Sequence, residues 1–166
     1  MKHALLEACF CEIAATRMLG VPVLNPNLRV QAVGFECDAA ETDVAVGILI
    51  TPWFMNLLRM PMNDAAGQGM LAIGIKAERD CGAHRFEFIG SHEAATGAFE
   101  AASLYSPMFE FADQAAAVAT ACEVLKLLRP VAAMQPVDVA VAVAVAVEAP
   151  ARRGFLFGRS AVAAVR

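Results

Sequence analysis

The chain is short of most features that announce a chemistry. It has five cysteines but no Cys-x-x-Cys pair, three histidines but no H-x-x-x-H spacing, and eleven glycines with neither a G-x-G-x-x-G nor a P-loop arrangement. The missing Cys-x-x-Cys excludes a zinc ribbon or a rubredoxin-type iron site, and the scattered glycines exclude the common phosphate cradles. An odd cysteine count with irregular spacing does not make a disulfide framework. No positive excess is present either: the formal net charge is −4, which gives no electrostatic reason to bind nucleic acid or anionic lipid and suits a cationic peptide instead.

Long apolar runs are also missing, although 58% of the 166 residues are hydrophobic and the mean hydropathy is +0.54. Much of that fraction is alanine. The longest apolar stretch, Val44 to Met55, contains Pro52 and falls well short of the roughly 20 residues a bilayer requires. Val139 to Val147 is shorter and is bracketed by Asp138 and Glu148. No stable membrane insertion is expected. Glu7 and Glu12 interrupt what would have to be the apolar part of a secretory signal, so a cytoplasmic protein with reduced thiols is expected.

What is present reads as one α+β domain. Leu5, Leu6, Cys9, Phe10, Ile13 and Leu19 recur at helical spacing and predict an amphipathic helix over Lys2–Leu19, stopped by Gly20 and Pro22. After the Asn25-Pro26-Asn27 turn, "RVQAVGFE" (Arg29 to Glu36) predicts a strand. "VAVGILI" (Val44 to Ile50) predicts a second that is apolar on both faces, hence central. A strand resumes in "FMNLLRM" before Pro61, and two more are expected at Met70–Glu78 and His84–Gly90. A loop then leads through "SLYSPMFEF" (Ser103 to Phe111). A final helix, Asp113 to Leu128, is capped by Asp113 and closed before Pro130. The order of elements predicts a mainly antiparallel sheet flanked by an N-terminal and a C-terminal helix. The composition changes at Pro130: residues 1–130 form the domain, and 131–166 form a low-complexity Ala/Val-rich tail with a basic end.

Candidate chemistry is sparse. Cys9 and Cys11 sit two residues apart, so on a regular helix both thiols cannot ligate one ion. His84 and His92 flank a strand near Glu87 and Glu93 and read as solvated strand-end residues. Nothing argues for an enzyme, a metal or a cofactor. The informative stretches are apolar. "ITPWFMNLLRMP" (Ile50 to Pro61) gathers the only tryptophan, a phenylalanine and two methionines between two prolines. "SLYSPMFEF" repeats the theme beside Glu110 and Asp113. Methionine and aromatic side chains adapt to varied apolar partners and suit a peptide-binding surface.

Taken in order, "GILITPWFMNLLRMP", "SLYSPMFEFADQAAAVATA" and the terminal "RRGFL" resemble the HybE family (also HupJ or HoxT) of [NiFe]-hydrogenase assembly chaperones over most of residues 3–160. The resemblance implies a cytoplasmic, non-enzymatic accessory protein without a cofactor. Its implied client is the precursor of the hydrogenase small, iron–sulfur subunit, held by its twin-arginine signal until cofactor insertion is complete, with other maturation factors as further partners. The motif falls on Thr51, Pro52, Trp53, Phe54, Met55 and Asn56, and on Ser106, Pro107, Met108 and Phe109. Glu110 is the expected partner for a signal arginine, because guanidinium and carboxylate pair in bidentate geometry. Some relatives carry a rubredoxin module with two Cys-x-x-Cys pairs, which this chain lacks. The alternative is an iron–sulfur or thiol-redox accessory factor using Cys9 and Cys11. Finally, Arg152, Arg153, Phe155 and Leu156 repeat the order of groups in an export signal at the wrong end of the chain. They read as a pseudo-signal on a Val/Ala linker able to span about 35 Å when extended.

Overall fold

The structure, a computed structural model, describes residues 2–129 apart from 39. Helix α1 (Lys2–Ala15) leads into strands β1 (Gln31–Cys37), β2 (Val44–Ile50) and β3 (Met55–Pro61). A single turn, α2 (Asp64–Gly67), precedes β4 (Lys76–Cys81), β5 (His84–Glu93), β6 (Gly97–Tyr105) and helix α3 (Gln114–Leu128). All six strands join one sheet in the order β1-β2-β3-β6-β5-β4, and every neighbouring pair is antiparallel. The expected α+β class, with a helix at each end of the sheet-forming segment, is the fold observed. The Ala/Val tail and its Arg152, Arg153, Phe155 and Leu156 lie outside the described residues.

Strand alternation divides the apolar side chains between two cores. Leu49, Leu58, Met60 and Phe99 pack with Leu6 and Phe10 of α1 on one face. Ile48, Ile50, Leu57, Phe88 and Ala102 pack with Ala117, Ala121, Leu125 and Leu128 of α3 on the other. β2 and β3 are buried along nearly their whole length, as "VAVGILI" requires of a strand covered on both sides. β1 serves both cores through a bulge between Val33 and Glu36. Gly34 adopts φ +61° there, so Val33 joins the α3 core while Phe35 turns to the α1 core.

Besides small shifts such as β5 running on to Glu93 past Gly90, the structure differs from the sequence reading in three places. The first helix ends at Ala15 rather than Leu19; turns follow, closed by Gly20 at φ 75°. The strand expected over Met70–Glu78 begins only at Lys76. Residues 70–75 instead cross the sheet so closely that a Cβ on Gly90 would lie 2.1 Å from the Ala72 carbonyl oxygen. The crossing is pinned by a side chain: Leu71 N donates to the Glu100 carboxylate at 3.0 Å. That carboxylate also accepts from Arg79 at 2.9 Å and lies 3.5 Å from Arg59 Nε. Glu100 is fully buried and Arg59 nearly so, so the core holds a paired ionic cluster. The third difference is a whole element: β6 (Gly97–Tyr105) was not expected as a strand, and its last residues, Ser103 to Tyr105, were expected in a loop that starts only at Ser106.

Candidate functional site

The β2–β3 connection is built around one hydroxyl. Thr51 is fully buried, and its Oγ1 accepts from Phe54 N at 2.9 Å and from Trp53 N at 3.3 Å. Its main-chain N–H donates to the Phe54 carbonyl at 2.8 Å, and Asn25 N donates to the Pro52 carbonyl at 2.8 Å. This fixes the turn and sets its rings. Trp53 and Phe54 meet edge to face at 5.6 Å, and Phe54 meets Phe10 of α1 edge to face at 5.7 Å.

The Ser106–Phe111 segment lies beside that turn because Met55 pairs with Tyr105 in the sheet. Ser106 Oγ reaches the Trp53 carbonyl at 3.5 Å. Asn25 ties the two together from below: it is buried, and its amide donates to the Met108 and Phe111 carbonyls at 3.0 and 2.8 Å. Asn27 adds a bond to the Ala112 carbonyl at 3.0 Å, and Tyr105 meets Phe111 edge to face at 5.1 Å. Asp113 caps α3 through Ala116 N at 2.8 Å.

The two sequence motifs therefore converge, but they divide by burial. Thr51, Met55 and Met108 are core residues with no surface to offer. Pro52, Trp53, Phe54 and Asn56 are half-buried, while Ser106, Pro107, Phe109 and Glu110 are exposed. Phe109 stands out at 59% exposure, where a phenylalanine is ordinarily covered. The accessible patch is thus aromatic turn, proline, Phe109 and the Glu110 carboxylate. Phe10 and Asn25, which orient the patch, were missed as site residues; the only signal was the Asn25-Pro26-Asn27 turn.

Three of the thiols, Cys9, Cys11 and Cys81, have their pKa values raised. Cys9 points toward Glu93, its Sγ 3.9 Å from a carboxylate oxygen; burial and then that negative charge push its pKa up. Burial, then Glu7, pushes Cys11 up, and burial raises Cys81. Raised values keep these sulfurs as thiols, the less nucleophilic form. Among the described residues no three His, Cys, Asp or Glu side chains are grouped to hold a metal ion. His84 and His92 are exposed on the same strand, about 27 Å apart at extended rise, and the structure does not bring them together.

Comparison with known proteins places the chain in a family. A family model described as "[NiFe]-hydrogenase assembly, chaperone, HybE" matches residues 1–158. The chain is 49% identical to Protein HoxT of Cupriavidus necator over 165 residues, covering 93% of this chain and 87% of that one. It is 40% identical to the hydrogenase expression/formation protein HoxT of Azotobacter vinelandii, covering 70% and 72% of the two chains. The match to the probable rubredoxin HupJ of Rhodobacter capsulatus, 34% identical, spans 68% of this chain but 39% of that protein. The solution structure of HybE from Escherichia coli superposes with a TM-score of 0.56 over 97% of this chain and 91% of that one, at 20% identity, which establishes a shared fold. No helix among the described residues is long and apolar enough to cross a membrane. The chain belongs to the HybE family of [NiFe]-hydrogenase assembly chaperones and acts in hydrogenase maturation.

Proposed function

We propose that the protein holds the small-subunit precursor of a [NiFe] hydrogenase in the cytoplasm by its twin-arginine signal peptide, before export. It acts by binding and release rather than by catalysis. The observation that carries this reading is the juxtaposition of the half-buried Trp53–Phe54 turn with exposed Phe109 and Pro107. Aromatic side chains held by buried anchors are the usual energetic centre of an apolar docking surface. Glu110 stands beside them as a carboxylate for an arginine, the bidentate partner a signal of adjacent arginines calls for. Residues 131–166 serve in this reading as a tethered competitor whose Arg152, Arg153, Phe155 and Leu156 imitate the ligand; a copy on a short linker reaches about millimolar effective concentration.

The test is binding of the precursor to variants of the patch. Phe109→Ala, which removes an exposed ring and leaves the core intact, weakens binding by about 2 kcal/mol, with an unchanged unfolding midpoint. Trp53→Ala weakens it comparably. Reversing the charge at Glu110 weakens a peptide with two arginines far more than its two-lysine variant. Full affinity in folded Phe109→Ala and Trp53→Ala proteins would remove the patch from the site.

A further inference from the structure

A second feature lies on the α1 face and was not visible in the motifs. An open groove of about 300 Å³ runs beside α1, with Phe10, Phe54, Phe99, Asn56, Ile73 and Glu93 among its walls. Phe54 belongs also to the aromatic turn, so the groove adjoins the patch already described. Its polar side chains are Asn56, Ser91, His92 and Glu93, and two of them bring acceptors to it. Asn56 Oδ1 is buried without a hydrogen-bond partner, and an unmet buried acceptor is unfavourable by about 1–3 kcal/mol. Glu93 presents a carboxylate, three-quarters buried. The groove therefore offers acceptors and apolar walls. Glu93 disfavours an anionic ligand, and a purely apolar one would leave Asn56 Oδ1 unmet.

Glu93 already has a guanidinium. Arg17, in the turn that follows α1, places Nη2 at 3.3 Å from one carboxylate oxygen while its own side chain remains 62% exposed. The other oxygen faces only the Cys9 thiol at 3.9 Å, a weak donor. So the carboxylate is half-engaged by a long, solvent-exposed side chain attached to a turn. Such a pair is worth little and is easily exchanged.

We propose that the groove is a binding site for an arginine-bearing apolar peptide segment, and that Arg17 is a built-in placeholder for the ligand's guanidinium. On binding, the incoming arginine takes both Glu93 oxygens, Arg17 swings into solvent, a donor from the ligand meets Asn56 Oδ1, and apolar side chains cover Phe54, Phe99 and Ile73. Ile73, 74% exposed in the free protein, forms the outer wall. This deepens the function proposed above and rests on it for the source of the peptide, the basic-apolar part of the client's signal.

The experiment uses the isotopically labelled full chain and a synthetic peptide with two adjacent arginines followed by an apolar stretch containing Phe and Leu. Two-dimensional NMR follows the Asn56 side-chain amide, the Glu93 and His92 main-chain amides, and the Trp53 indole; the dissociation constant is read from the same titration. Binding shifts Asn56, His92 and Glu93. Arg17→Ala tightens binding about twofold to fivefold, the value of an exposed ion pair removed from competition. Glu93→Gln weakens it about tenfold, as for a lost hydrogen bond to a charged group, with the unfolding midpoint checked in both variants. If Arg17→Ala leaves affinity unchanged or weakens it, the placeholder is overturned. Shifts confined to the Trp53 indole overturn the groove and leave the patch reading standing. Groove shifts with the peptide, but no capture of the whole precursor, support the groove and overturn the reading. No shift at either place overturns both.

Discussion

Thr51 and Glu100 each use one side chain to decide the path of a whole segment. The Thr51 hydroxyl satisfies two main-chain N–H groups of the aromatic turn, so Thr51→Val leaves two partly buried donors without that acceptor. It should lower stability by about 2 kcal/mol, read from chemical denaturation, and change the fluorescence of Trp53 in the folded state. Glu100 gathers Arg59, Arg79 and Leu71 N in the core. Arg59 also pairs with Glu41 at 2.9 Å, so Glu100→Gln removes one of its two carboxylates and the partner of Arg79, and should destabilise by about 3 kcal/mol; an unchanged denaturation midpoint would contradict the cluster's role. The thiols give a pH signature. Cys9, Cys11 and Cys81 have pKa values raised above 9.0 in the folded chain, with burial the leading cause. An acid with a raised folded value carries no penalty below its unfolded pKa. Folding stability is therefore undiminished by these groups below about pH 9 and falls as the pH rises through their folded values. Alkylation at neutral pH followed by mass spectrometry should modify exposed Cys11 and Cys37 first and buried Cys81 last.

Elements were legible where one physical signal dominated. "VAVGILI" is apolar on both parities and became the buried β2 over the residues read for it, Val44–Ile50. Asp113 capped α3 as its side chain requires. The failure at residues 70–75 has a clear cause: a contact distant in sequence overrode local pattern. Residues 70–75 look like the start of β4, yet the Glu100 carboxylate holds Leu71 in a crossing over Gly90. β6 carries that glutamate at a core position, which breaks the expected polar-out alternation. The site behaved similarly. "TPWFMN" and "SPMFE" stood out by composition, but the inward turn of Met108 and the outward turn of Phe109 depend on Asn25, more than eighty residues away. Gly34 carries the element-scale prediction. It holds φ +61°, and an added Cβ would lie 2.6 Å from Leu125 Cδ1. Gly34→Ala combines left-handed strain with overpacking and should destabilise by about 2–3 kcal/mol. A midpoint shift below 0.5 kcal/mol would mean the bulge can relax without it.

At the scale of the whole molecule, a sheet with a helix on each face leaves one end, where β2 turns into β3 and β6 runs into α3, to present side chains outward. Both aromatic motifs sit at that end, and the groove shares Phe54 with it. Such an arrangement suits a protein that holds a peptide while other factors work on the folded part of the same client. The tail belongs to this scale. If it imitates the ligand, deleting the residues after Pro150 tightens binding of a free signal peptide, and Arg152→Ala with Arg153→Ala reproduces the deletion; unchanged affinity in both would remove it from the binding equilibrium. The central claim is that the client is recognised through its signal. Calorimetric titration of the purified full chain with the hydrogenase small-subunit precursor, and with the same subunit lacking its signal, tests this most directly. The account predicts saturable binding of the precursor and loss of at least about 2 kcal/mol when the signal is removed. Equal affinity for the two forms would contradict it.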